Sequence, residues 1–225
     1  MKKAIITISR EYGSGGRDVG RMLAEELALP LFDKEIMHMA AEKSGLSTDF
    51  VEKRGEKIPS KFWQNLQRLS LNVPSVRMPS GYNSMAAARS MALSRSPDAK
   101  NDADRLFYVQ SEAIREVAAS GGCVIIGRCA GYILRDNPNL LSVFIRADLE
   151  DRVHRAIDTY GYSEKTAAND VKKIDKHRAN YYRYYTDQQW GAASNYDLVV
   201  NTTYSDIPGA VAVIKAMLIA GEMDV

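Results

Sequence analysis

The chain is poor in the residues that staple or metallate small proteins, with two cysteines and three histidines in 225 residues. Cys123 and Cys129 are spaced for neither a C-x-x-C redox pair nor a paired zinc site, so both are read as thiols of a reducing compartment. His38, His154 and His177 are scattered without H-x-x-x-H spacing and suggest no metal. An excess of one charge is also lacking. Thirty Lys and Arg face 28 Asp and Glu, a net charge of +2, which excludes a whole-surface nucleic-acid footprint and leaves only local basic sites. Long apolar runs are missing too: Ala4 to Ile8, after Met1-Lys2-Lys3, is too short for a signal peptide, and no stretch is read as long enough to span a bilayer. Asn201-Thr202-Thr203 matches a glycosylation sequon without a secretory context. A cytoplasmic protein with no membrane partner is expected.

The chain does have apolar content, 45% of its residues, enough to fill the core of one α/β domain. AIITI (4–8) is a β-branched run, and after a glycine turn Val19, Met22, Leu23 and Leu27 recur at helical spacing. Pro30 to Asp33 reads as a short second strand, and Lys34 to Lys43 as a helix ended by Gly45. CVIIG (123–127), LSVFI (141–145) and YDLVV (196–200) have the length and composition of buried strands, with helical patterns following at 130–136, 149–160 and 206–221. Alternating strands and helices predict a three-layer α/β fold, a parallel sheet covered by helices on both faces. Residues 55–104 break the rhythm with Pro59, Pro74, Pro79, Pro97 and many serines, and are expected to be an insert of short helices and loops. A regular helix is expected from Leu106 to Ser120, stopped by Gly121-Gly122. Trp63 and Trp190 are read as packing residues.

Gly13-Ser14-Gly15-Gly16-Arg17 lies between the first strand and the first helix, with Arg10 just upstream. A strand that opens through glycines into a helix brings backbone N–H groups and the positive end of the helix dipole to one point, which binds anions. Glycine suits it because the backbone must turn through positive φ and approach the anion without a Cβ in the way. Two phosphate-binding patterns compete. G-x-G-x-x-G needs glycine where Asp18 stands, although Asp33 lies about 20 residues on, where a ribose-binding acid belongs. G-x-x-x-x-G-K-[ST] lacks both its lysine and its hydroxyl.

The order and spacing of four stretches resemble the cytidylate kinase-like branch of the P-loop nucleoside monophosphate kinases. ITISREYGSGGRDVGRMLAEELALPLFD is similar to that family's first strand, phosphate loop, first helix and second strand, and runs to Asp33 without a gap. CVIIGRCAGYIL resembles a second signature in which a strand ends in Gly-Arg, VFIRADLEDRVHRAI the entry to an arginine-bearing lid, and YDLVVNT the last strand. The resemblance spans nearly the whole chain, with 55–104 in the place of the acceptor-nucleotide subdomain and 149–190 as lid-like helices.

In that register Gly16 stands at the phosphate-loop lysine, Arg17 at the glycine after it and Asp18 at the magnesium-binding hydroxyl. Cys129 replaces an acidic residue after Gly-Arg. The resemblance implies that a nucleoside triphosphate, ATP or GTP, is held by Arg10, Gly13, Ser14, Gly15, Gly16, Arg17, Asp18 and Arg155. Asp18 would face Mg²⁺ or cap the helix, and Asp33 and Arg128 would orient the acceptor. Arg17, Arg128, Arg152, Arg178 and Arg183 would stabilise the transferred phosphoryl group. The implied acceptor is a small molecule, such as the pyrimidine nucleoside monophosphate CMP.

Three alternatives stay open: a nucleotide sensor that has lost catalysis with its lysine and hydroxyl, a nicotinamide-dependent oxidoreductase built on Gly13, Gly15 and Asp33, and single-stranded base stacking by Tyr181, Tyr182, Tyr184 and Tyr185 among the lid arginines.

Overall fold

β1 (Ile5–Arg10) is buried on both faces because it becomes the middle strand of a sheet covered on both sides. The computed structural model describes residues 3–33, 35, 36, 38, 39 and 102–224. The other strands are β2 (Leu31–Phe32), β3 (Cys123–Ile126), β4 (Leu140–Arg146) and β5 (Leu198–Asn201). They pair in the order β2-β3-β1-β4-β5, every pairing parallel. Ile5 lies opposite both Cys123 and Leu140, and Arg10 opposite Ile145, so β1 ends level with β4. From β1 the chain runs outward to β2 on one side, and from β4 outward to β5 on the other. The switch point between β1 and β4 is where open α/β sheets place their ligands, outside the carboxyl ends of the strands.

α1 (Gly16–Glu26) and α6 (Thr202–Ala220) cover one face, enclosing Ile6, Ile8, Val124, Val143 and Ile145 with Leu23 and Ile214. α2 (Asp102–Ala119), α3 (Ala130–Ile133) and α5 (Glu164–Thr186) cover the other, around Ile5, Cys123 and Ile125. α4 (Leu149–Asp158) precedes α5 and packs against it. Full burial of a side chain such as Ile8 stabilises the fold by about 1.5–3 kcal/mol, so the two apolar layers hold the ends of β1 and α1 in place.

The expected α/β architecture is present, with several boundaries moved. β1 extends to Arg10, because ladder bonds to β4 continue past the apolar run. α2 begins at Asp102, earlier than the apolar period suggests, and α3 stops at Ile133 rather than at residue 136. α6 is joined across a break at Asp206 (φ 54°, ψ −171°) just before Pro208, so its regular part matches the periodic stretch from 206. Its 19 residues and mean hydropathy of 1.3 have the length and composition of a membrane span, which the sequence reading did not find, yet Ala210, Val211, Ile214 and Leu218 pack into the core. Glu35, Ile36, His38 and Met39 are helical, but the rest of the 34–43 helix, Trp63 and residues 55–101 of the expected insert lie outside the described residues.

Candidate functional site

The turn after β1 is polarised, carbonyls bound and amides exposed. Every carbonyl from Arg10 to Gly15 accepts a hydrogen bond from the protein. Arg178 donates to Arg10 (3.1 Å), Ser14 N–H and hydroxyl to Glu11 (3.3 and 2.9 Å), and Arg152 to Tyr12 (3.5 Å). Arg155 donates to Gly13 (2.6 Å), Thr202 to Ser14 (2.7 Å) and Val19 N–H to Gly15 (2.9 Å). By contrast, the N–H groups of Gly13, Gly15, Gly16 and Arg17 donate to no protein acceptor among the described residues. Four unengaged N–H groups beside the positive end of an 11-residue helix form an anion-binding concavity.

Positive φ calls for glycine at two points of this turn. Gly13 (φ 78°) lies so close to α4 that a Cβ would collide with the Arg152 carbonyl oxygen, and Gly15 (φ 75°) is the left-handed N-cap of α1. The concavity opens into a cleft of about 410 Å³ whose walls include Arg10, Arg17, Arg178 and the rings of Tyr12, Tyr160 and Tyr162. Tyr12 lies 5.5 Å from Tyr160 and 5.8 Å from Tyr162, centroid to centroid, and its hydroxyl is 3.2 Å from that of Tyr162. Burial, then the Tyr162 hydroxyl, push the Tyr12 phenol above its ordinary pKa, so it stays neutral. Behind the loop a polar cavity of about 400 Å³ is lined by His154, Arg155, Thr202 and Thr203.

α5 anchors the turn through Asp175. Its carboxylate accepts from Tyr12 N–H (2.7 Å) and from the Arg152 guanidinium, and Arg152 also faces Glu11 at 3.6 Å. Burial pushes the Asp175 carboxyl above its ordinary pKa, against the opposing pull of Tyr12 N–H and Arg152.

A second, smaller pocket lies beside the first, at the carboxyl end of β3, bounded by Arg10, Arg128, Cys129, Arg178, Tyr182 and Trp190. Gly127, Arg128 and Cys129 are all left-handed (φ 73°, 57° and 56°), a conformation that costs about 1–3 kcal/mol at each non-glycine residue and collects at functional sites. Nε and Nη1 of Arg128 are buried without a hydrogen-bond partner among the described residues. A buried guanidinium with unmet donors, beside two further arginines, suits an anionic ligand.

A model of the cytidylate kinase-like family matches residues 5–204. The chain belongs to that family. The cytidylate kinase of Methanothrix thermoacetophila is 24% identical over 137 residues, 61% of this chain and 78% of that protein. The cytidylate kinase of Methanospirillum hungatei is 29% identical over 123 residues, 54% and 68% of the two chains. The crystal structure of an uncharacterized protein from Eubacterium ventriosum has a TM-score of 0.67 at 29% identity, covering 97% of this chain and 99% of that one. Shikimate kinase from Bacteroides thetaiotaomicron shares the fold, with a TM-score of 0.50, 11% identity and coverage of 96% and 98%.

Within this cytidylate kinase-like frame the anticipated site residues separate into groups. Arg10, Gly13, Gly15, Gly16, Arg17 and Arg178 line the cleft. Ser14 is fully buried and braces the turn instead of facing the cleft. The guanidinium groups of Arg152 and Arg155 are engaged by carbonyls and carboxylates of the loop region. Arg183 is exposed in the last turn of α5 and lines neither pocket.

Arg17 pairs with Asp33 (2.6 Å), so these two residues meet at one edge of the site. Asp18 pairs with Arg21 (3.4 Å) one turn on and is the acidic residue of the first turn of α1, beside the positive end of its dipole. Among the described residues no group of three metal-ligating side chains converges. A magnesium ion carried by phosphates needs only one or two carboxylates and keeps its waters, so a single carboxylate such as Asp18, in the first turn of α1, has the chemistry for that limited role.

Two alternatives lose their footing. In the dinucleotide-binding order β2 lies beside β1, whereas here β3 separates them and Asp33 pairs with Arg17. Tyr181, Tyr182 and Tyr185 are buried (6%, 5% and 8% exposed), Phe107 stacks on Tyr185 at 3.8 Å, and of the four tyrosines Tyr184 alone is partly exposed, which leaves no run of rings for stacking successive bases. Sequence reasoning missed Tyr12, Tyr160, Tyr162 and Asp175. Only the spacing of Asp175 three residues before Arg178, one helical turn, hinted that an acid would share their face. Trp190, read as packing, does pack edge-on against Phe144 (5.3 Å) and also walls the small pocket.

Proposed function

We propose that this protein transfers the γ-phosphoryl group of a nucleoside triphosphate, ATP or GTP, to a small anionic acceptor, with CMP the first to test. The observation that carries the proposal is the polarised turn, four unengaged N–H groups facing a cleft while every carbonyl behind them is bound. Such fixed dipoles stabilise phosphate charge without reorganising when it shifts in the transition state. Membership in the cytidylate kinase-like family supports the same chemistry.

The β- and γ-phosphates rest on Gly13, Gly15, Gly16 and Arg17; Asp18 would supply the carboxylate for an accompanying magnesium ion, which would spread their negative charge. Arg128 and Arg178 hold the acceptor's acidic group in the adjoining pocket. An acceptor oxygen bonds to the γ-phosphorus as the bond to the β–γ bridging oxygen breaks, and the nucleoside diphosphate leaves with that electron pair. The catalytic contribution is positional and electrostatic.

The test is a phosphotransfer screen of ATP and GTP against the nucleoside monophosphates and small phosphorylated or carboxylated alcohols. Formation of nucleoside diphosphate with a matching phosphorylated acceptor is expected, and absence of transfer to every acceptor contradicts the proposal. The departures at Gly16 and Asp18 favour one other reading, a sensor in which the triphosphate binds and persists unchanged.

A further inference from the structure

We propose that Arg10 does in this loop what the lysine does in G-x-x-x-x-G-K-[ST], through a reciprocal exchange of side chains between positions 10 and 16. The inference rests on the nucleotide-binding reading above and deepens it. With the second glycine of the pattern at Gly15, the lysine position is Gly16 and the first glycine position is Arg10. The chain thus has a long cation where the pattern has glycine, and glycine where it has a long cation.

The geometry shows that these departures depend on each other. A Cβ built on Gly16 would lie 2.5 Å from Cβ and 3.0 Å from Cγ of Arg10, and 3.2 Å from Cβ of Ile145. The space above the first residue of α1 is filled from the strand. No side chain at position 16 can coexist with Arg10, and glycine at 16 is the condition for it.

Arg10 is also well placed for phosphate. It is 8% exposed, stands at the end of the central strand, and its carbonyl is fixed by Arg178. Arg10 and Arg178 are the two residues shared by the large cleft and the small pocket. A group passing from donor to acceptor crosses between those cavities. A guanidinium there stays charged and presents a planar fork of donors that matches phosphate oxygens, where a lysine presents a compact point charge.

The experiment compares wild type, Arg10→Ala, Arg10→Gly, Arg10→Lys and the double variant R10G/G16K, each first checked for folding by thermal unfolding. Calorimetric titration with ATP, ADP and AMP in magnesium buffer follows, then steady-state transfer with the best acceptor. Arg10→Ala is expected to weaken ATP and ADP by about tenfold or more, the loss of one charge-assisted contact, with AMP much less affected. Arg10→Lys retains part of the affinity. R10G/G16K, which rebuilds the lysine pattern, binds ATP more tightly than Arg10→Gly and recovers most of the lost transfer rate.

A folded Arg10→Ala that binds ATP as wild type does, or a double variant no better than Arg10→Gly, overturns the assignment while leaving the nucleotide site standing. Failure of wild type to bind any of the three nucleotides overturns the site and the assignment together.

Discussion

Arg128 sits in the left-handed region with two guanidinium nitrogens buried and unpaired among the described residues, a local cost that the fold carries without a visible structural return. Arg128→Met, which keeps much of the volume and removes the stranded charge, should therefore raise stability by about 1 kcal/mol in urea titration, while abolishing turnover with the acceptor. A loss of stability would show that Arg128 is structural.

Arg17 is half exposed and held by Asp33, so its contribution to phosphate binding requires that pair to open. Arg17→Ala is expected to weaken ATP by about tenfold in calorimetric titration, the range for one charged hydrogen bond, and equal affinity would remove Arg17 from the site.

Cys123 tests the core. Burial pushes its thiol up to about 11 from 9.0. Because the folded value lies above the unfolded one, its contribution to stability is intact below pH ~9 and is lost as pH rises toward ~11. Stability of wild type should fall over that window more steeply than that of Cys123→Ala, as measured by urea titration at stepped pH. Parallel profiles would contradict the assignment.

At the scale of elements, α4 and α5 act as a clamp on the turn after β1. Arg152, Arg155 and Arg178 each take a different loop carbonyl, and Asp175 ties Tyr12 N–H to Arg152. Asp175→Ala leaves the mostly buried Arg152 with, among the described residues, only the more distant Glu11 as ion partner and frees the Tyr12 amide, and should cost about 3 kcal/mol in urea titration. Hydrogen exchange at Tyr12 should accelerate in the same variant, and unchanged exchange would show that the loop holds its shape without α5.

This clamp was not legible in the sequence. Strands, helices and the glycine turn announce themselves through local apolar period and turn chemistry, and the apolar runs beginning β1, β3 and β4 were found that way. The clamp joins residues separated by 140 to 168 positions, and nothing local in Arg152 or Arg178 distinguishes an arginine that binds loop carbonyls from one that closes over a ligand. Burial of Tyr181, Tyr182 and Tyr185 was hidden for a similar reason. A string of aromatics with arginines reads alike on a wet face and in a core, and only α2 packed alongside settles it.

Over the whole molecule, the switch point, the polarised turn and the arginine-lined pocket converge at the carboxyl ends of β1 and β3. The strand order separates this fold from the dinucleotide binders, a distinction that the glycine spacing and Asp33 left open because both patterns begin with a strand, a glycine turn and a helix.

The most direct measurement of the central claim is calorimetric titration of the full chain with ATP and with GTP in magnesium buffer. Saturable binding of one nucleotide per chain, weakened by competing inorganic triphosphate, is the predicted result. No detectable heat with either nucleotide at millimolar concentration would contradict the claim that the turn from Gly13 to Arg17 is a phosphate site.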